Sequence, residues 1–169
     1  QAARLLREER DIHFLLSGWG MGFARLKDMQ AAAQLANVTL VDRVADSELD
    51  ALLSSADAWL IPYRKDVAGV SVPSRFYNLL AAGRPVILVS EPEAEAALTV
   101  SENGLGWVVT PGRPDQLADA VRLASRSQDT GMAERAVATA RSFSPERALA
   151  SYAALVAELL SDRDVERTA

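Results

Sequence analysis

Two stretches of this chain combine residue types and spacing that could do chemistry. The first is Pro62–Ser74 (PYRKDVAGVSVPS), which runs on into Arg75 and Asn78. It holds Arg64 and Lys65, a small flexible step at Ala68-Gly69, and Pro73 where a helix would begin. If Pro73 is the first helical residue, Val72 takes the cap position, and a valine side chain cannot accept a hydrogen bond. The amides of Ser74 and Arg75 are then orphan donors. A phosphate would satisfy them, helped by the helix dipole and by Arg75 itself. Asn78 lies one turn on, on the face of Arg75, and its amide could hydrogen-bond a ribose diol. The alternative is a helix capped by Ser71 or Ser74, with Arg75 a solvated surface charge, and local physics leaves both readings open.

The second stretch is Ser17–Gly22 (SGWGMG). Gly18 and Gly20 would let a backbone approach a ligand closely and leave helix-start amides free for an anion, while Trp19 could line a pocket. A tight turn with no ligand explains the glycines equally well. In Val41–Leu49 (VDRVADSEL), Arg43 and Val44 would lie at a strand end, where backbone groups could meet a flat ring; from spacing alone an ordinary connection capped by Asp46 or Ser47 is preferred. His13 reads as a packed or sheet-edge histidine. Glu91, Glu93 and Glu95 read as acids around a helix start, and Trp59 and Trp107 as core.

Composition removes other chemistry. The chain has no cysteine and one histidine, which excludes disulfides, thiolate catalysis and the common zinc sets, so no metal site is expected. Its net charge of −5, with no basic block, argues against a nucleic-acid partner. Phosphate binding must come from a local site rather than a general positive field. No apolar run approaches a bilayer span.

The elements that must position these residues follow from periodicity. Apolar runs without alternation at Ile12–Ser17, Val38–Val41, Ala58–Ile61, Pro85–Val89 and Gly106–Val109 suit strands covered on both faces. Between them lie helical patterns over Met21–Ala36, over Asp46–Ser55, around Phe76, Leu79 and Leu80 up to Gly83, and around Leu117, Ala120, Val121 and Ala124. Ser144-Pro145 opens a final helix whose Leu149, Tyr152, Ala153, Val156, Leu159 and Leu160 are expected to be buried. Such alternation predicts an α/β fold, a Rossmann-like open parallel sheet of about five strands with helices on both faces, forming one domain over 1–162 with a polar, frayed tail at 163–169. Ligands of such sheets bind at the carboxyl ends of the strands, where both stretches lie.

Taken together, these residues resemble the C-terminal, donor-binding half of the retaining GT-B glycosyltransferases of family four (group 1). DIHFLLSGWG is similar to their strand and glycine turn, and NVTLVDRVADSELDALLSSADAWLIPY to the next two strands and intervening helix. VPSRFYNLLAAGRPVI resembles their donor-binding motif, NGLGWVVTPGRPDQLADAV their following strand and helix, and FSPERALASYAALVAELL their terminal helix. The resemblance implies transfer of a sugar from a nucleoside diphosphate sugar to an acceptor hydroxyl with retention, using no cofactor besides the donor and no metal. It implies that the amides of Ser74 and Arg75 hold the diphosphate, with Arg75 the catalytic cation. By the same resemblance Asn78 meets the ribose, Gly18 and Gly20 flank the diphosphate, Arg43 and Val44 flank the base, and Gly69, Val70, Ser71 and Val72 face the sugar. Two positions depart from the family's paired acids: Val70 replaces the first and Asn78 the second.

The family's opening strand, with its basic segment, has no counterpart in Gln1–Arg10, and its N-terminal acceptor-binding domain is an expected partner within the same protein. The expected location is cytoplasmic, with peripheral contact at the inner face of the membrane. Two other readings compete: a non-catalytic nucleotide- or protein-binding Rossmann-like module, and one lobe of a nucleotide-sugar epimerase.

Overall fold

A computed structural model describes residues 1–63, 65 and 74–168. Strands β1 (Phe14–Gly18), β2 (Val38–Asp42), β3 (Trp59–Pro62), β4 (Val86–Val89) and β5 (Gly106–Val109) alternate with helices. The helices are α1 (Ala2–Leu5), α2 (Met21–Ala33), α3 (Leu49–Ser55), α4 (Ser74–Ala81), α5 (Glu95–Glu102), α6 (Pro114–Arg126), α7 (Met132–Ser142) and α8 (Pro145–Thr168). All pairing is parallel, in register Phe14↔Val38 through Gly18↔Asp42, Trp59↔Val86 through Pro62↔Val89, and Val86↔Gly106 through Val89↔Val109.

The five strands form two ladders rather than one continuous sheet: β1 with β2, and β3-β4-β5. Among the described residues β1 and β3 share no ladder hydrogen bonds, so each has one edge that no described strand pairs with. The three-stranded ladder is covered on both faces. Val86 and Leu88 face a core with Phe76, Leu79 and Leu80 of α4, Ala97 and Val100 of α5, and Ala136 of α7. Ile87, between them in β4, points to the opposite face and packs with Val109 and with Ala120 of α6. This burial on both sides explains the unalternated run in β4. β1 differs, since Leu15 and Ser17 are exposed and alternate with half-buried neighbours. Leu6, Ile12 and Ala118 form a small third cluster joining α1, the approach to β1, and α6.

Local chemistry sets the helix ends. Helix α2 stops at Ala33, a turn earlier than periodicity predicts, because Gln34 adopts a left-handed conformation (φ 49°) and caps it. Its buried contact is Phe23, whereas Leu26 and Met29 are exposed. The Asp46–Ser55 pattern divides into a 3-10 turn (Asp46–Glu48) and α3, with the Ala45 amide donating to the Glu48 carboxylate at 3.2 Å. α4 ends ahead of Gly83 (φ 68°), whose amide donates to the Leu80 carbonyl at 2.9 Å.

The final helix forms, but its expected burial does not occur. Leu149 and Tyr152 are each 69% exposed, and Leu155, Val156, Leu159 and Leu160 are exposed as well. Helical spacing identifies a helix and an apolar composition, but it does not supply a neighbour, and among the described residues none covers α8. The helix continues to Thr168, into the polar tail. No described helix is long and apolar enough to cross a membrane.

The tightest backbone approach lies between β4 and β5. Gly106 (φ 151°) faces Val86 in register, and a Cβ there would collide with the Val86 carbonyl oxygen. Gly106→Ala is therefore expected to destabilise the fold by about 3 kcal/mol or more, read as a lowered denaturation midpoint, with an unchanged midpoint contradicting the packing described.

Candidate functional site

Parallel register brings the first two loops together. Gly18 pairs with Asp42, so the next residues, Trp19 and Arg43, leave their strands side by side. The Arg43 guanidinium carbon lies 5.0 Å from the centre of the Trp19 ring. Arg43 Nη2 also pairs with Asp46 Oδ1 at 3.2 Å, and Val44 is half-buried beside it. The strand ends are braced from below: Ser17 Oγ donates to the Asp42 carbonyl at 3.2 Å, and Lys27 of α2 reaches Asp42 Oδ1 at 2.8 Å. The Lys27 ammonium also lies 5.1 Å above the Phe23 ring.

The two glycines of the turn have different causes. A Cβ at Gly18 would come within 3.0 Å of the Phe23 ring, so packing accounts for that glycine without a ligand. Gly20 has φ 87°, serves as the N-cap of α2, and has no atom within 4 Å of where a Cβ would stand. Open space and a conformation that favours glycine make Gly20 the residue that leaves the α2 amides approachable.

On the other ladder, α4 begins at Ser74, with Arg75 in its first turn and Asn78 one turn later. Arg75 and Asn78 are both exposed, opposite the buried Phe76, Leu79 and Leu80. The predicted residues Gly69, Val70, Ser71 and Val72 lie outside the described residues, as do Arg64 and Pro73. Among the described residues, no ion pair or ring contact joins Arg75 or Asn78 to the Trp19–Arg43 group.

The distribution of charge at helix starts separates these loops from the rest. The Asp46–Glu48 turn, α3, α5, α6, α7 and α8 each carry an acid in the first turn, the ordinary complement to the helix dipole. α2 and α4 carry none, like the four-residue α1, and α4 carries Arg75 there instead. A cation at that end opposes the dipole, and Arg75 makes no ion pair with any described residue. The two starts are left electropositive in a chain of net charge −5.

The other singled-out residues are structural or peripheral. His13 precedes β1, and its Nε2 lies 2.8 Å from Thr39 Oγ1. Trp59 donates from Nε1 to the Leu53 carbonyl at 3.0 Å, and Trp107 packs beside Ile87 and Ala120. Glu95 lies in the first turn of α5. Among the described residues no three histidine or carboxylate groups gather closely enough to hold a metal ion.

Two features were not singled out from the sequence. One is a cleft of about 300 Å³ at the carboxyl ends of β4 and β5, lined by Gln1, Val89, Thr110, Arg113 and Leu117 among others. Arg113 is already bidentate to Asp115, at 2.6 and 3.0 Å, and that pairing holds the Asp115 carboxyl down at about 2. The other is Tyr63, which extends β3 by donating its amide to the Val89 carbonyl at 2.9 Å. Its hydroxyl is buried with no hydrogen-bond partner among the described residues, and burial, then Tyr77, push its pKa up. Nothing in the tyrosine's position along the chain signals that isolation.

With the geometry in view, comparison with known proteins places the chain. The family model described as Glycosyl transferases group 1 matches residues 1–126. The chain belongs to that family. Over 117 residues this group 1 chain is 29% identical to the probable glycosyltransferase WbjE of Pseudomonas aeruginosa, covering 69% of the chain and 29% of the relative. Over 125 residues it is 30% identical to the putative colanic acid biosynthesis glycosyl transferase WcaI of Escherichia coli K12, covering 73% of the chain and 30% of the relative. It thus spans under a third of the length of either curated relative. Its fold is similar to that of the pneumococcal O-GlcNAc transferase GtfA, solved with UDP and GlcNAc: TM-score 0.67 at 19% identity, over 94% of this chain and 32% of that one. The α/β architecture, parallel strands with helices on both sides, is that of the GT-B glycosyltransferases.

Tyr63 gives a stability test within this fold. Removing a buried hydroxyl that bonds no described residue relieves a desolvation cost, so Tyr63→Phe is expected to raise stability by about 1 kcal/mol in thermal or denaturant unfolding. A loss of stability would show that the hydroxyl has a partner.

Proposed function

We propose that the complete protein transfers a sugar from a nucleoside diphosphate sugar to an acceptor hydroxyl with retention of configuration, and that this chain is its donor-binding lobe. The observation that carries this reading is the pair of electropositive helix starts, α2 behind Gly20 and α4 with Arg75, in a group 1 glycosyltransferase chain. Sugar transfer from a nucleoside diphosphate develops negative charge on the departing diphosphate. Fixed N–H donors and a cation lower the barrier when they are aimed at that charge and need no reorganisation. The amides at the start of α4 and the Arg75 guanidinium are of this kind, and Asn78 offers an amide on the same face for the ribose. The solved GtfA complex contains UDP, which agrees with a nucleoside diphosphate here.

An acceptor-binding domain elsewhere in the protein would supply the other wall of the site. The open edges of β1 and β3 agree with a further parallel strand between them in the complete domain, as in Rossmann-type strand orders.

Arg75→Ala in the intact protein tests the diphosphate grip. A charge-assisted contact of about 1.5–3 kcal/mol predicts a loss of nucleoside diphosphate affinity of roughly tenfold or more by calorimetry. The melting temperature of the free protein should be unchanged or slightly higher, because the substitution removes a cation from the positive end of a helix. Unchanged affinity would remove Arg75 from the site.

A further inference from the structure

Phe143 stands at a junction of elements. It ends α7, its amide donating to the Ala140 carbonyl at 3.1 Å. The next amide, of Ser144, reaches the Arg141 carbonyl at 3.3 Å before α8 opens at Pro145. The Phe143 ring is 44% exposed and lies outside the buried clusters that the described residues form. It stacks nonetheless on Tyr77 of α4, with ring centres 4.6 Å apart and planes tilted by 38°. That spacing is within the range where aromatic rings attract beyond the area they bury. Tyr77 lies two residues after Arg75, packs against the core and meets Phe76 edge-on at 5.4 Å. Burial, then Glu95 at the start of α5, push its pKa up. α7 runs antiparallel along α4. A Cβ on Gly83, past the end of α4, would stand 3.4 Å from Val137, whereas Phe143 meets the first turn.

We propose that Phe143 is a positioning residue for the diphosphate grip, acting through Tyr77 to fix the roll of α4 and with it the direction of Arg75. The proposal rests on the donor-binding reading above and extends it beyond residue 126, where the family match ends. Phe76, Leu79 and Leu80 seat α4 on the core by one face. A stripe on one face leaves the roll of an eight-residue helix about its axis to be set from a flank. Steps of about 100° per residue put Tyr77 on one flank of that stripe and Arg75 on the other. Holding Tyr77 against Phe143 therefore stops the rotation that would swing Arg75 away from its ligand. No ion pair with a described residue steadies Arg75, so its direction depends on the helix beneath it. A displacement of about 1 Å from a distant substitution is enough to weaken a contact that must be aimed.

The test is a double-mutant cycle in the intact protein: wild type, Phe143→Ala, Arg75→Ala and the pair. Each is titrated by calorimetry, below its melting temperature, with whichever of UDP, GDP and ADP binds wild type. Phe143→Ala is expected to lower affinity by roughly threefold to tenfold. Once Arg75 is already alanine the same substitution should change affinity by less than about twofold, because a residue that acts through Arg75 loses its effect with it. Phe143→Tyr, which keeps the ring, should bind like wild type. Phe143→Leu keeps apolar bulk without the ring, so it is the variant to use if Phe143→Ala does not fold, and it should show the same loss dependent on Arg75. A lower melting temperature with unchanged affinity would overturn the proposal and leave the stack as packing alone. An equal loss in both backgrounds would overturn it too, since Phe143 would then act by another route. Failure of Arg75→Ala to weaken binding would instead overturn the Arg75 grip, and failure of wild type to bind any nucleoside diphosphate the donor-binding reading itself.

Discussion

Parallel strand pairing is the constraint on which the rest of this molecule depends. A parallel neighbour cannot be reached by a tight turn, so each strand must be followed by a crossover that returns the chain to the opposite edge. The described pairing in both ladders obeys this, and within each ladder the strand-to-helix loops therefore emerge at one edge. Ser17–Gly22 and Arg43–Val44 share one edge of the first ladder for topological reasons, before any ligand is considered. The register Gly18↔Asp42 then decides which side chains meet, and it sets Trp19 beside Arg43.

In a chain of net charge −5, the starts of α2 and α4 stand out because neither carries an acid in its first turn. Most of its helices begin with a carboxylate, which neutralises the positive end of the dipole. Leaving α2 and α4 without one gives up a small stabilisation at each. Setting Arg75 in the first turn of α4 gives up a little more. Such departures from local preference are expected where a site takes precedence over stability. The cleft beside Arg113 lacks this character, since its cation is already neutralised by Asp115.

Much of this was legible in the chain. The unalternated run Pro85–Val89 announced a strand buried on both faces, and the Val86/Leu88 and Ile87 sides of β4 are covered by different helices. The spacing of Phe76, Leu79 and Leu80 placed Arg75 and Asn78 on the exposed side of α4. Other features depend on partners that a one-dimensional pattern cannot name. The apolar composition of α8 implied burial, yet burial requires a neighbour, and Leu149 and Tyr152 face solvent. Gly18 could be read either as a ligand-approach glycine or as part of a tight turn, and its tight packing, a Cβ there standing 3.0 Å from the Phe23 ring five residues on, could not be read from the sequence. The indole–guanidinium contact also escaped notice, because it arises from register between strands more than twenty residues apart. Gly69, Val70, Ser71 and Val72 lie outside the described residues, so the sugar-facing stretch rests on the family resemblance.

The central claim is that a nucleoside diphosphate is held at this carboxyl edge by the starts of α2 and α4. Amide hydrogen exchange of the intact protein, with and without the nucleoside diphosphate it binds, tests this most directly. The account predicts slowed exchange at residues 18–24 and 74–78, with the cleft residues 110–113 unchanged. Protection confined to the cleft, or absent from the start of α4 at saturating nucleotide, would contradict it.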